Sequence, residues 1–151
     1  MKDNNQELLP LVDEEGRVIG SATRGQCHDG SKLLHPVVHL HVFDSAGRLY
    51  LQQRPLWKDI QPGKWDTAVG GHIDYSEEVA DALRREVREE LGIEDFVPRF
   101  LMSYIFESER EREFVMFTAR CTTALSARAT NSTAAVSGRW TRFPQLLAMG
   151  C

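Results

Sequence analysis

The sequence predicts an α+β fold, an α/β/α sandwich of strands and helices. Two observations carry that expectation. Short strand-like segments stand before and after one long amphipathic stretch, and Pro144 opens a second helical stretch near the end. With 151 residues and 42% hydrophobic side chains, the chain is expected to form one domain over 1–151 that buries its own core.

The elements follow in order. Leu8 to Asp13 and Arg17 to Thr23 flank Glu14-Glu15-Gly16 and read as a hairpin turning near Gly16. Arg24 to Lys32 is polar with two glycines and reads as loop. Val37 to Phe43 alternates as a strand, with Val37, His39, His41 and Phe43 on one face and Val38, Leu40 and Val42 on the other. Asp44 to Gly47 is a turn and Leu49 to Arg54 the next strand. Residues 55–64 hold two prolines and a glycine and read as an irregular connection. Trp65 to Gly70 is expected to be a strand that ends at Gly70-Gly71.

Glu77 to Leu91 is the clearest helix, with Ser76 as expected N-cap and Gly92 as stop. At ~100° per residue, Val79, Ala80, Leu83, Val87 and Leu91 span one arc. Glu86, Glu89 and Glu90 fill the neighbouring arc, and Asp81, Arg84 and Arg88 face away. Phe96 to Ile105 and Phe114 to Cys121 read as strands around a charged hairpin. Residues 122–137 carry little pattern, and Gly138 to Arg142 is a last strand. Trp57, Trp65 and Trp140 are expected in the core by residue type.

Composition narrows the partners. Net charge is −4 and the pI about 5.7, so no basic excess points to a nucleic-acid polymer. No apolar run approaches the ~20 residues that span a bilayer, which argues against a membrane partner. The polar N-terminus lacks a signal-peptide core. Cys27, Cys121 and Cys151 are an odd set without CxxC spacing, against a disulfide framework or a Cys-type zinc site. The chain reads as cytoplasmic.

The chemistry concentrates between Gly71 and Ile93. Glu77, Glu78, Glu86, Glu89 and Glu90 crowd into fourteen residues, and a helix gathers the last three on one side. Like charges held so closely repel unless a cation neutralises them, and hard oxygen ligands suit Mg²⁺ or Mn²⁺. A solvated acidic face would show the same composition, but these acids adjoin the apolar stripe instead of lying opposite it.

Gly71-x5-Glu77-x7-Arg85-Glu86-Val87-x-Glu89-Glu90-x-Gly92-Ile93 resembles the signature box of the Nudix hydrolase family at every fixed position. The resemblance implies a mixed sheet flanked by helices, with the box as loop-helix-loop. It implies metal ligands at Glu86, Glu89 and Glu90, with Glu89 as a ligand or the base that activates water. Glu113, on a later strand, is a second candidate base. Glu77 and Arg85 would form a structural ion pair. Gly70, Gly71, Arg54 and His72 are candidates for holding phosphate oxygens. The implied substrate is a small-molecule diphosphate, and the family often forms homodimers.

Thr23-Arg24-Gly25-Gln26-Cys27-His28, Leu33-Leu34-His35, Gln53-Arg54, Pro62-Gly63-Lys64-Trp65-Asp66 and Gly70-Gly71-His72 resemble the isopentenyl-diphosphate isomerase-like branch of that family, over roughly residues 8–120. That likeness offers His28, His35 and His72, with Glu111 and Glu113, as a second metal site; alone, His28 and His35 read as loop histidines. The branch's catalytic cysteine falls at Gly70 here. Isomerisation needs an acid and a base on opposite sides of a carbon skeleton, so this departure favours hydrolysis. Isomerisation of isopentenyl diphosphate and non-catalytic nucleotide or diphosphate binding stay as rivals.

Overall fold

The computed structural model describes residues 3–58, 60–121 and 138–142, the last five and Cys121 by backbone only. Strands β1 (Leu8–Val12) and β2 (Val18–Thr23) form an antiparallel pair, and Gly16 takes the left-handed φ of 82° that their turn needs. The stretch expected as loop after β2 instead opens with a short helix, α1 (Arg24–Cys27). Thr23 and Gln26 close a capping box around its first turn, which is what starts a helix in so polar a segment.

The main sheet is mixed and seven-stranded. Its axis is β3 (Leu34–Phe43), three residues longer at its start than alternation alone defines. The strand β8 (Arg112–Cys121) runs parallel to it, with Leu34 opposite Arg112 and His35 opposite Glu113. Beyond β8 lies the antiparallel β7 (Arg99–Glu107). On the other side β3 meets β4 (Arg48–Gln53) and β6 (Val69–His72), and β4 in turn pairs with β5 (Trp65–Asp66) and β9 (Gly138–Arg142). The expected strand over Trp65 to Gly70 is thus two strands, and Gly70-Gly71 lies inside the second, opposite His39 and Val38. Segment 122–137 and the helix expected after Pro144 lie outside the described residues.

Helix α2 (Val79–Leu91) packs on β3 and β6. Ala82, Leu83, Val87 and Leu91 meet Val38, Leu40, Val42 and Val69 in the principal core. Val79 and Ala80, expected on that arc, are exposed, because the helix begins only at Val79 and its first turn overhangs the sheet. Ser76 is not the N-cap. It sits at φ 70°, whereas the cap position requires extended backbone, and Glu78 supplies that at φ −76°, ψ 145°. Gly92 ends the helix in the left-handed conformation, as expected. Trp57 and Trp65 are not core residues but stand 48% and 40% exposed, at the mouths of the cavities described below.

The packing predicts two contrasting substitutions. Leu83→Ala removes a fully engaged core side chain and should cost about 2–5 kcal/mol in denaturant unfolding. Val79→Ala should stay within about 0.5 kcal/mol, as surface changes do. Equal costs at the two positions would contradict the helix face assigned here.

Candidate active site

Alternation and register divide the sheet chemically. Val38, Leu40 and Val42 point towards α2, while His35, Val37, His39 and His41 point to the opposite face. Register with β8 and β6 puts Glu113 and His72 on that second face as well. Gly70 and Gly71 carry no side chains, so carboxylates from α2 and polar groups from the far face line one cavity of about 300 Å³.

On the helix side, Glu86 lies over Gly71. A Cβ there would land on the Glu86 carboxylate, so only glycine leaves that space. Gly70 differs: a Cβ would meet His39 and Thr67 at an ordinary 3.5 Å. Glu90 is half-buried, hydrogen-bonded to the Gln52 amide, and also bonded by the Gly70 backbone. Burial, reinforced by the Glu86 charge, pushes its carboxyl up to about 8. Burial also raises Glu86 above the usual carboxylate range. Glu89 is 57% exposed and lines a second cavity of about 270 Å³, which it shares with Glu86, Glu90, Arg54, Lys58 and Trp57. The structure thus groups Glu86, Glu89 and Glu90 along one helix edge, between two cavities.

Arg85 organises that edge. Its Nε and Nη2 donate to the two oxygens of Glu77 at 2.9 and 2.8 Å, Nη2 also to the His72 carbonyl at 3.1 Å, and Nη1 to Glu86 at 2.7 Å. Those carboxylates, Glu77 first, hold its guanidinium charged far above neutrality. Glu77 also accepts from the Asp74 backbone N–H at 3.0 Å, so the loop before α2 is tied to the helix it leads into.

On the far face, three histidines converge. His28 Nε2 and His72 Nε2 are 3.1 Å apart, and the coordinating atoms of His28, His35 and His72 all lie within 4.8 Å of one another. His35, Glu111 and Glu113 satisfy the same limit. His35 is fully buried. Its Nδ1 pairs with the Leu33 carbonyl at 2.9 Å, which leaves Nε2 a lone pair, buried and without a partner. Burial holds all three rings below the ordinary histidine range, His28 at about 4, so each is neutral. Burial and the neighbouring Glu111 push Glu113 up to about 8. Neutral imidazoles beside carboxylates form a nitrogen-and-oxygen donor set of the kind transition-metal ions take. His41 stands apart, its ring packed 4.1 Å from that of Phe117.

Cations complete the cavity. Arg54 pairs with Asp66 at 2.9 Å, Arg24 with Asp3 at 3.0 Å, and Lys58 with the same Asp3 at 2.7 Å. The roles of Arg24, Lys58 and Asp3 were not legible as sequence. Arg24 lies one helical turn before His28, which is the one local signal for it. Nothing local marks Asp3 or Lys58.

The comparisons agree with this architecture. Residues 33–150 match the model of the NUDIX domain. An isopentenyl-diphosphate Delta-isomerase of Mycolicibacterium vanbaalenii is 44% identical over 58% of this chain and 48% of its own length. An uncharacterised Nudix hydrolase of Pseudomonas aeruginosa is 38% identical over 72% of this chain and 64% of its own. The matched segment thus spans about half to two thirds of those relatives. The crystal structure of DR0079 from Deinococcus radiodurans superposes with a TM-score of 0.73 at 28% identity, covering 95% of this chain and 90% of that one. With the acidic helix, its clasping arginine and the histidine face all in place, the chain belongs to the Nudix family, in its isopentenyl-diphosphate isomerase-like branch.

Proposed function

We propose that this single domain is a divalent-metal-dependent hydrolase that cleaves the diphosphate linkage of a nucleoside diphosphate joined to a second moiety. One observation carries the reading: the Glu86 and Glu90 carboxylates converge beside Gly70-Gly71, with Glu89 at the rim of the same wall. Two half-buried carboxyls, raised by desolvation and by neighbouring charge, fit a hard cation, and Glu86 and Glu90 would hold Mg²⁺ or Mn²⁺. When bound, such an ion would neutralise phosphate oxygens and acidify a water. Glu89, exposed and 3.7 Å from Arg85 at the rim of the site, takes the proton of the attacking water. The water oxygen bonds to phosphorus, the bridging P–O bond breaks, and each half leaves as a phosphate monoester.

Isomerisation of isopentenyl diphosphate is the second reading, favoured by the cluster of His28, His35, His72, Glu111 and Glu113. That mixed imidazole and carboxylate cluster fits a first-row transition-metal ion such as Mn²⁺ or Zn²⁺ in either reading. Gly70 counts against isomerisation, since it offers no proton-transfer group at the position where the branch keeps its thiol. No helix of the described residues is long and apolar enough to cross a membrane; we place the enzyme in the cytoplasm, acting on small molecules, with a homodimer as its expected assembly.

Four experiments check the reading. A panel of nucleotide sugars, dinucleotides, nucleoside triphosphates and isopentenyl diphosphate with Mg²⁺ should show phosphate-monoester products from a two-ended diphosphate. Glu89→Gln should cut that turnover by about 10²–10⁴-fold with the fold intact; allylic product from isopentenyl diphosphate alone would overturn it. Gly71→Ala should displace Glu86 and reduce kcat at least tenfold, about 1.4 kcal/mol of barrier, whereas Gly70→Ala should be tolerated; the reverse order would contradict the glycine geometry.

The fourth concerns pH in metal-free protein. Glu90 and Glu113, ordinarily at 4.5, sit at about 8 when folded. Their contribution to stability is full below the unfolded value and lost as pH rises through the folded one. His28, lowered from 6.5 to about 4, works oppositely, losing its contribution as pH falls below 6.5. Between pH 6.5 and 8 only the carboxylate effect runs. Tm in EDTA should therefore fall as pH rises across that window, and Glu90→Gln should flatten the fall. A Tm that rises there would refute the assignment.

A further inference from the structure

The strongest cations of the principal cavity are already spoken for by the chain itself. Asp3 bridges two of them, Oδ2 at 3.0 Å from Arg24 Nη2 and Oδ1 at 2.7 Å from Lys58 Nζ. Its side chain is only 13% exposed, so this is an enclosed contact and not a surface pair. The segment that carries Asp3 is seated against α1. Arg24 N–H donates to the Glu7 carbonyl at 2.7 Å, and Gly25 N–H to the Asn5 carbonyl at 3.0 Å. A Cβ at Gly25 would press on the Asn5 carbonyl oxygen at 3.3 Å, so the close seating uses the missing side chain. Glu7 adds a second, looser acid 3.8 Å from Arg24.

A carboxylate that bridges a guanidinium and an ammonium stands where an anionic phosphate oxygen pair would stand. The consequence depends on the charge of the phosphate. A terminal phosphomonoester carries close to two negative charges at neutral pH, because its second pKa is about 6. A phosphate esterified on both sides carries one. With Asp3 in place, both cations are engaged and half of their combined charge is offset, so the doubly charged end meets an acid where it needs cations. The singly charged linkage, which would be met by the divalent cation on Glu86 and Glu90, does not require them.

Resting on the hydrolase reading above, we propose that Asp3 sets the specificity of the site. It discriminates against ligands with a free terminal phosphate and favours diphosphates esterified at both ends. Removing it should open the Arg24–Lys58 pair to a terminal phosphate.

The test uses a matched pair of probes, ADP with a free terminal phosphate and ADP-ribose with that phosphate esterified. Binding of each is measured by calorimetry on the full chain with Ca²⁺ as the only divalent cation, for the parent, Asp3→Asn and Asp3→Ala. Both variants should raise affinity for ADP relative to ADP-ribose by about five- to tenfold, the factor expected for freeing a partly enclosed ion pair. In Asp3→Asn combined with Lys58→Met the gain should shrink to the part that Arg24 alone supplies, since one of the two freed cations is gone. An unchanged ratio, or equal weakening of both probes, would overturn the proposal and leave Asp3 as a structural tie. Because the readout is binding, absence of turnover would sink the hydrolase reading while the ratio still judged Asp3.

Discussion

Arg85 makes four hydrogen bonds, and the rest of the site hangs on them. Two fix Glu77, one fixes the backbone of β6 at His72, and one fixes Glu86. A planar guanidinium can do this because its donors diverge in one plane at set angles; a lysine ammonium offers a single point of charge. The loop before α2, the end of β6 and the acidic edge of the helix are thereby held in one mutual position. The histidine cluster depends on the same clasp, since His72 belongs to it and to the strand that Arg85 grips.

Around that clasp the protein concentrates groups that would repel one another in their charged forms. It manages this by burial. The carboxyls of Glu90 and Glu113 are pushed into the protonated range and the rings of His28, His35 and His72 are kept neutral. The result is a cavity with many donors of electron pairs and modest standing charge, able to take up positive charge without rebuilding. The two cavities share Glu86, Glu90 and Gly70 together with Arg54, Lys58 and Asp66, so both acids and cations line the space common to them.

Much of this was readable in the sequence, and the failures have physical causes. The heaviest signal, three acids beside an apolar stripe, needs only the helical period to be seen, and α2 presents Glu86, Glu89 and Glu90 on one edge. The hairpin at Gly16 and the stop at Gly92 were legible because left-handed backbone selects glycine locally. Ser76 is not the cap because capping depends on backbone conformation, and its φ of 70° is left-handed, which residue type alone does not reveal. The helix α1 is hard to see in sequence because the residues of its capping box, Thr23 and Gln26, are equally common in polar loops. The exposed tryptophans show residue type overruled by position, since both flank the cavities. The gathering of Asp3, Arg24 and Lys58 rests wholly on tertiary contact.

The parallel pairing of β3 with β8 has a further consequence, for the order in which the molecule comes together. Thr118 donates to the His39 carbonyl across 79 positions of sequence, and His28 meets His72 across 44. Contacts so remote along the chain pay a large loop-closure entropy before they return anything, so they form late. The acidic helix is local and can be present early, but the imidazoles and Glu111–Glu113 become neighbours only when β8 docks. An ion or ligand gripped by that cluster therefore binds the finished fold and not its precursors, and its free energy of binding adds directly to the stability of the native state.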